Sequence, residues 1–320
     1  MKYARLMGTG GYVPERVLTN DELAEKIDTS DEWIQQRAGI RSRHIVADGQ
    51  STTDMAEQAA RQAIAAAGIK PEHIDLIIGA TSSPDMLFPS MACLLQKQLG
   101  ISGCPAFDVQ AACAGFIYAL SVAEKFIQTG AAKTVLIACS ESYSRIIDWQ
   151  DRNTCVLFGD GAGAVVLSAD NQPGLLSTVI HAAGEYSELL YTPNPLPGQQ
   201  NHEPYAHLKM RGKEVFKIAV KWLGDIVHEV LVANNMEQDA VDWLIPHQAN
   251  IRIIEATAKK LGLSMEHVVL TLHKHGNTSS ASIPLALHEA IVDGRIKPGQ
   301  LLLMEAFGGG FAWGAGLLRY

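Results

Sequence analysis

The chain has 320 residues, 47% of them apolar and 19% charged, with a formal net charge of -8. That length permits two domains or one large one with an ample core, and the composition excludes a disordered chain. The acidic balance argues against a nucleic-acid or anionic-membrane binder.

The longest apolar run, 109–123, contains Gln, Gly, Ser and Tyr and falls short of the roughly 20 residues a membrane span requires. The N-terminal MKYARLMGTG has no apolar stretch and no small-residue cleavage site, so no signal peptide is expected. The five cysteines, Cys93, Cys104, Cys113, Cys139 and Cys155, are odd in number and form no C-x-x-C pair. They read as reduced thiols in a cytoplasm.

In chain order, Thr53 to Ala67 reads as a helix, with Gly68 just past its end. Ile74 to Ile78, Thr134 to Ala138 and Ala164 to Leu167 read as buried strands. The Pro-, Asn- and Gln-rich stretch 191–206 reads as a surface loop. Lys213 to Asn234 reads as a second helix, followed by strands at Val241 to Ile245 and Leu301 to Met304. This alternation predicts an α/β fold with buried sheets.

An internal repeat organises these elements. AAAGIKPEHIDLIIGA, KQLGIS, AFDV and a helix ending QTG before TVLIACSE find counterparts downstream. These are VANNMEQDAVDWLIPH, KKLGLS, VVLTL (268–272, expected as a strand) and a helix ending VDG before LLLMEAF. Asp75 maps to Asp242, an offset of 167, and Gly130 to Gly294, an offset of 164. The second offset carries Cys113 onto Asn277, which predicts matching positions at two helix starts. Two such halves, 1–172 and 173–320, would meet at a central site.

Cys113 lies in AACAGF at the head of an apolar helix, where the helix dipole and unpaired N–H groups favour a thiolate. His247, in IPHQAN, and Asn277, in HGNTSS, each follow a strand; both can donate hydrogen bonds to an oxyanion. FGDGAGA (158–164) mimics a dinucleotide motif, but strand-like VVLS follows where a helix is needed. Gly8-Thr9-Gly10 fails because Val13 occupies the third glycine position. Phe307-Gly308-Gly309-Gly310-Phe311 could present an N–H to an oxyanion or simply make a tight turn. His273 and His275 lack nearby acidic or Cys partners, so no metal site is expected.

AACAGF, PHQAN, HGNTS, FGDGAGA and EAFGGGF, with DTSDEWI from Asp28 and GIRSRH after Arg37, together resemble β-ketoacyl-acyl-carrier-protein synthase III along essentially the whole chain. The Cys-His-Asn set differs from thiolases, which use a second cysteine, and from elongating condensing enzymes, which use two histidines. The resemblance implies the thiolase fold, two βαβαβαββ halves in a five-layered αβαβα arrangement. It implies decarboxylative condensation of a short acyl-CoA, commonly acetyl-CoA, with malonyl-acyl carrier protein, initiating fatty-acid synthesis without a metal or redox cofactor.

In that resemblance Cys113 is the nucleophile and the amides of Cys113 and Gly309 form its oxyanion hole. His247 and Asn277 hold the malonyl thioester carbonyl. Trp33 and Arg152 sandwich the CoA adenine, with Arg37 toward the phosphates; Thr29, Gly212, Phe216, Ala249 and Asn250 line the pantetheine tunnel. Phe88 reaches the acyl pocket across a homodimer interface. Lys213, Lys217 and Lys221 share a helix face, and with Arg252, Lys259 and Lys260 they form the docking surface for the acidic carrier protein. The 191–206 loop matches no pattern of the family.

A related polyketide or quinolone acyltransferase would use the same site. A cysteine hydrolase lacks its C-G-S-C-W-type signature here, and a non-catalytic acyl-binding protein would not need all three catalytic types.

Overall fold

The computed structural model describes residues 2–193 and 207–320. Most of the expected 191–206 loop lies outside the described residues; Tyr191, at its start, pairs with Lys209 in a short ladder.

The first half runs β1 (Tyr3–Tyr12), α1 (Asp31–Ala38), α2 (Thr52–Ala66), β2 (Leu76–Ala80), α3 (Met91–Gln98), β3 (Ala106–Val109), α4 (Gly115–Gln128), β4 (Thr134–Glu141) and β5 (Gly161–Asp170). The second half runs β6 (Leu175–Ala182), α5 (Gly212–Ala233), β7 (Trp243–Pro246), α6 (Ile251–Lys260), α7 (Ser282–Val292), β8 (Leu301–Gly308) and β9 (Ala312–Arg319).

Among the described residues the first sheet has the order β1-β5-β4-β2-β3 and the second β7-β8-β9-β6. Read from the β6 edge, β6-β9-β8-β7 repeats β1-β5-β4-β2 with the same parallel and antiparallel senses. The expected strand 268–272 is reduced to one bridge, Leu244 to Val268, at the place where β3 sits in the first half. It stops there because Leu272–His275 turns into a short helix.

The repeat extends to the helix stops. At Gly68, φ is +67° and Ile69 N–H bonds Ile64 O, closing α2 as a Schellman cap. Asn235, at φ +52°, ends α5 in the same way.

The layers are α2 and α3, the first sheet, α4 and α7, the second sheet, then α5 and α6. Alternate residues of β2 and β4 divide between two cores. Ile78, Ile137 and Cys139 face the central helices, whereas Ile77, Leu136 and Ala138 face α2 and α3. Both sheets are therefore covered on both faces, and their strand ends converge beside the starts of α4 and α7.

The structure corrects one equivalence. A tight turn, Ala112–Ala114, leads into α4, and Ser279–Ala281 leads into α7. Both begin in the left-handed region, Ala112 at φ 45° and Ser279 at φ 50°. The counterpart of Cys113 is therefore Ser280, at the offset of 167 that also relates Asp75 to Asp242. Asn277 precedes the second turn, because α7 is three residues shorter than α4 (11 against 14) and the 164 offset was set at its far end.

Candidate active site

Cys113 is buried in its turn because the preceding Ala112 adopts a left-handed conformation that costs on the order of 1 kcal/mol. The end of β8 braces it: a Cβ on Gly308 would lie 2.7 Å from the Cys113 amide nitrogen, so only glycine fits there.

The thiolate expectation needs correction. Burial pushes the thiol up to about 12, with the Glu141 charge adding to the rise and the Ser279 hydroxyl opposing it. Set against an ordinary value of 9.0, this is about 4 kcal/mol against the thiolate. A helix terminus offers at most about 2 kcal/mol in its favour. Cys113 therefore rests as a thiol.

His247 follows β7, its amide bonded to Glu305 O at 2.8 Å. Its Nδ1 lies 2.6 Å from Ser282 Oγ, at the first residue of α7. That hydroxyl also accepts from Gln248 N–H at 3.3 Å, which directs its own proton to Nδ1. Burial drives the imidazole down to about 3, so the ring is neutral. With Nδ1 accepting, the remaining proton sits on Nε2, and His247 is a hydrogen-bond donor toward the cavity.

Asn277 is oriented by backbone on both sides. Its N–H bonds Leu157 O at 2.9 Å, and its carbonyl accepts from Gly159 N–H at 3.0 Å. Ser279 N–H occupies Asn277 Oδ1 at 2.8 Å, leaving Nδ2 as the donor. Here FGDGAGA finds its use. A Cβ on Gly159 would meet His275 O at 2.4 Å, and one on Gly163 would meet Leu285 N at 2.6 Å. The motif is a close-packing surface for the Asn277 segment and α7, and β5 follows it as strand, as expected.

Cys113, His247 and Asn277 line one cavity of about 530 Å³, within the usual range for small-molecule sites. Exposed Arg37, Lys213 and Arg252 line its mouth, and apolar Val215, Phe216 and Phe307 line its walls.

Comparison with known proteins places the chain in a family. Family models described as 3-oxoacyl-[acyl-carrier-protein] synthase III and its C-terminal part match residues 107–184 and 231–320. A Beta-ketoacyl-[acyl-carrier-protein] synthase III of Methylococcus capsulatus is 60% identical over 319 residues, covering 100% of this chain and 99% of the relative. The chain belongs to the β-ketoacyl-acyl-carrier-protein synthase III family. Its structure resembles the Aquifex aeolicus 3-oxoacyl-[acyl-carrier-protein] synthase III with TM-score 0.94 and 48% identity, covering 99% of this chain and 100% of that one. The priming β-ketosynthase of the R1128 polyketide pathway matches with the same TM-score but 34% identity, covering 99% and 96%. The fold class is thus the thiolase fold of these synthases, with duplicated halves.

Of the family's expected CoA residues, Trp33, Arg37, Gly212, Phe216, Ala249 and Asn250 line the cavity. Asn250 also clamps two helices: its Nδ2 donates to Arg37 O at 2.9 Å, and its Oδ1 accepts from Arg252 N–H at 2.9 Å. Thr29 sits beside α1 outside the cavity lining, its buried hydroxyl without a hydrogen-bond partner.

Arg152 lies directly over the Trp33 ring, 4.6 Å from its centroid. The two surfaces are in contact, so a base between them requires Arg152 to swing away. Among the described residues it is held by the exposed Asp28, whose carboxylate lies at 3.2 Å and whose backbone O accepts at 2.6 Å.

Gly309 packs against Leu190 O and does not line the cavity. Phe88 lies away from the cavity and is 85% exposed, beside exposed Met86 and Leu87. Arg252 lies over Phe216, while Lys217 and Lys259 are exposed nearby. Lys260, also exposed, is already paired: its stem crosses Gly224 and its Nζ pairs with Asp225 at 2.8 Å, tying α6 to α5. Lys221 also pairs with Asp225. His275, with no acidic or Cys neighbour close in sequence, pairs in space with Glu289 of α7 at 2.6 Å.

Sequence reasoning missed Ser282, Ser279, Glu141 and Tyr143. Ser282 carried a readable signal, since HGNTSSAS places a hydroxyl where α7 begins. Glu141, the last residue of the TVLIACSE repeat segment, lies outside the motifs around Cys113, His247 and Asn277 and carried none.

Proposed function

We propose that the chain condenses a short acyl-CoA, acetyl-CoA first, with malonyl-acyl carrier protein through an acyl-Cys113 thioester. The supporting observation is the convergence of a buried thiol, a neutral His247 donor and the Asn277 amide at the end of a cationic-mouthed cavity.

Cys113 sulfur attacks the acyl-CoA carbonyl carbon. The carbon–sulfur bond to CoA breaks, and the proton lost by Cys113 balances CoA leaving as a thiol. The Cys113 backbone N–H is placed to hold the developing oxyanion, and Gly309, next to the Gly308 that packs on that amide, is the second donor the family resemblance implies. The malonyl thioester carbonyl then accepts hydrogen bonds from His247 Nε2 and Asn277 Nδ2. As carbon dioxide leaves, the carbon–carbon electron pair moves into the enolate held by these donors. The enolate carbon attacks the acyl thioester, forming the new carbon–carbon bond and releasing Cys113. Two fixed donors in a water-poor site stabilise such an enolate strongly. The reaction as written draws on no metal or redox cofactor.

Arg37, Lys213 and Arg252 at the mouth suit the phosphates of CoA and of a phosphopantetheine carrier, and Arg252, Lys217 and Lys259 suit an acidic carrier surface. The exposed apolar run Met86, Leu87 and Phe88 suits burial in a homodimer, from which Phe88 would complete a partner's acyl pocket. A cytoplasmic setting fits the free cysteines. No helix among the described residues is long and apolar enough to cross a membrane.

The test is to incubate the protein with acyl-CoAs and measure mass gain on the Cys113 peptide, then add malonyl-acyl carrier protein and look for the 3-ketoacyl product. Acylation without condensation would remove the condensing assignment. Absence of acylation by every CoA would remove the acyl-enzyme step.

A further inference from the structure

Asn277 is held against the first half by its backbone bonds to Leu157 and Gly159. A ring of side-chain bonds relates its segment to the His247 segment. Gln248, the residue after His247, is 1% exposed and its side-chain amide is fully used. Its Nε2 donates to Pro246 O at 2.7 Å and to Val269 O at 3.1 Å. Its Oε1 accepts from Thr271 N–H at 2.9 Å and from Leu272 N–H at 3.1 Å. Two carbonyls at one end and two N–H groups at the other leave a single orientation for the amide.

Thr271 and Leu272 open the short helix Leu272–His275, which runs through Gly276 into Asn277. Gln248 therefore joins the end of β7 to the head of the helix that delivers Asn277. The far end of that helix is tied to α7: His275 Nε2 lies 2.6 Å from Glu289 Oε1, and Lys274 pairs with the same carboxyl. Burial raises Glu289, but the bonds from His275 and Lys274 outweigh it and hold the carboxyl down to about 2. Ser282, about two turns earlier on α7, bonds His247 Nδ1 and accepts from Gln248 N–H, which closes the ring.

We propose that Gln248 is a positioning residue that sets the separation of the His247 and Asn277 donors, with the Glu289–His275 pair closing the frame at the other end of the short helix. Gln248 does not line the cavity, whereas His247, Ala249 and Asn250 do, so it acts through the donors and touches no substrate. Ser282 and Ser279 orient each donor singly; the ring fixes one donor relative to the other. The inference rests on the reading that His247 and Asn277 hold one thioester carbonyl.

The test is steady-state decarboxylation of malonyl-acyl carrier protein by Gln248→Met, a side chain of similar length without hydrogen-bonding groups, made in the wild type and in Asn277→Ala. Thermal melting is the control for folding. In the wild type kcat is expected to fall about tenfold or more, the scale of a misplaced catalytic group, with KM nearly unchanged. In Asn277→Ala, where no pair remains to align, the same substitution is expected to cost less than about twofold. Acylation of Cys113 by acetyl-CoA should be unchanged by Gln248→Met.

A merely structural defect would lower the rate by the same factor in both backgrounds. That result, or an unchanged kcat in the wild-type background, overturns the proposal. Should Gln248→Met fail to fold, Glu289→Gln decides by the same comparison, with a loss of about threefold or more expected in the wild type only. Equal losses, or none, overturn the proposal there too. If Asn277→Ala and His247→Ala each decarboxylate at the wild-type rate, the functional reading fails and takes this inference with it. If both are slow while Gln248→Met is not, this inference alone fails.

Discussion

Ser282 Oγ sits 2.6 Å from His247 Nδ1, so the residue that opens α7 also fixes which nitrogen of the imidazole carries its proton. Ser282→Ala removes that constraint. Condensation is expected to fall by up to about 100-fold, the scale for losing one oxyanion donor. Acylation of Cys113 by acetyl-CoA should remain within a few-fold of wild type. Single-turnover acylation and steady-state condensation, measured on one preparation, separate the two effects.

The two half-reactions should respond differently to pH. With the Cys113 thiol near 12, the thiolate fraction grows about tenfold per pH unit through the neutral range, and acylation should rise with it. His247, near 3, stays neutral above pH 5, so malonyl decarboxylation by a Cys113→Ala variant should be flat from pH 5 to 9. A decarboxylation profile breaking near pH 6.5 would show a titrating His247 and contradict the donor assignment.

Glu305 makes a stability prediction. Burial raises its carboxyl from 4.5 to about 8, and Oε2 has no hydrogen-bond partner. The folded state therefore binds a proton that the unfolded chain releases. That contribution is fully present below pH 4.5 and is lost as pH rises toward 8, on the order of 3 kcal/mol by pH 7. Glu305→Gln should flatten this dependence. Urea unfolding at pH 5 and pH 7 reads it, and an unaltered difference between the two would contradict the assignment.

Gly159→Ala tests the packing role of the glycine motif. The new methyl would lie 2.4 Å from His275 O and 2.8 Å from Arg43 Cβ, so the Asn277 segment must shift. Condensation should fall at least tenfold, because misplacement by about 1 Å can cost on the order of 100-fold. Thiol alkylation of Cys113 should change far less.

At the docking face, Arg252→Glu should raise the KM for malonyl-acyl carrier protein while sparing acylation by acetyl-CoA. Lys260→Glu should act differently, lowering the melting temperature because it sets a second acid against Asp225. Equal loss of acylation and condensation in Arg252→Glu would remove the docking assignment.

The repeat and the grouping of Cys113, His247 and Asn277 were legible in the sequence, because these are carried by local motifs and helix stops such as Gly68 and Gly130. The sequence misplaced the partner of Cys113, since one missing helical turn in α7 shifts the offset and only the folded turns reveal where. It also favoured a thiolate from the helix start, because dipole geometry is local whereas the burial that overrides it comes from β8 and the opposite half. Lys260 on Asp225 was invisible for the same reason, since it pairs residues far apart in the chain, and only the family resemblance brought Arg152 and Trp33 together.

The duplicated turn at Ser280 has a consequence for how the halves are joined. One turn carries a thiol at its tip, while the other carries at that position a hydroxyl that bonds Ala80 O and Glu141 across the midline. Those bonds rivet the Asn277-bearing half to the Cys113-bearing half. Neither half, expressed alone, retains both members of the rivet, so the two halves are expected to fold and unfold as one unit.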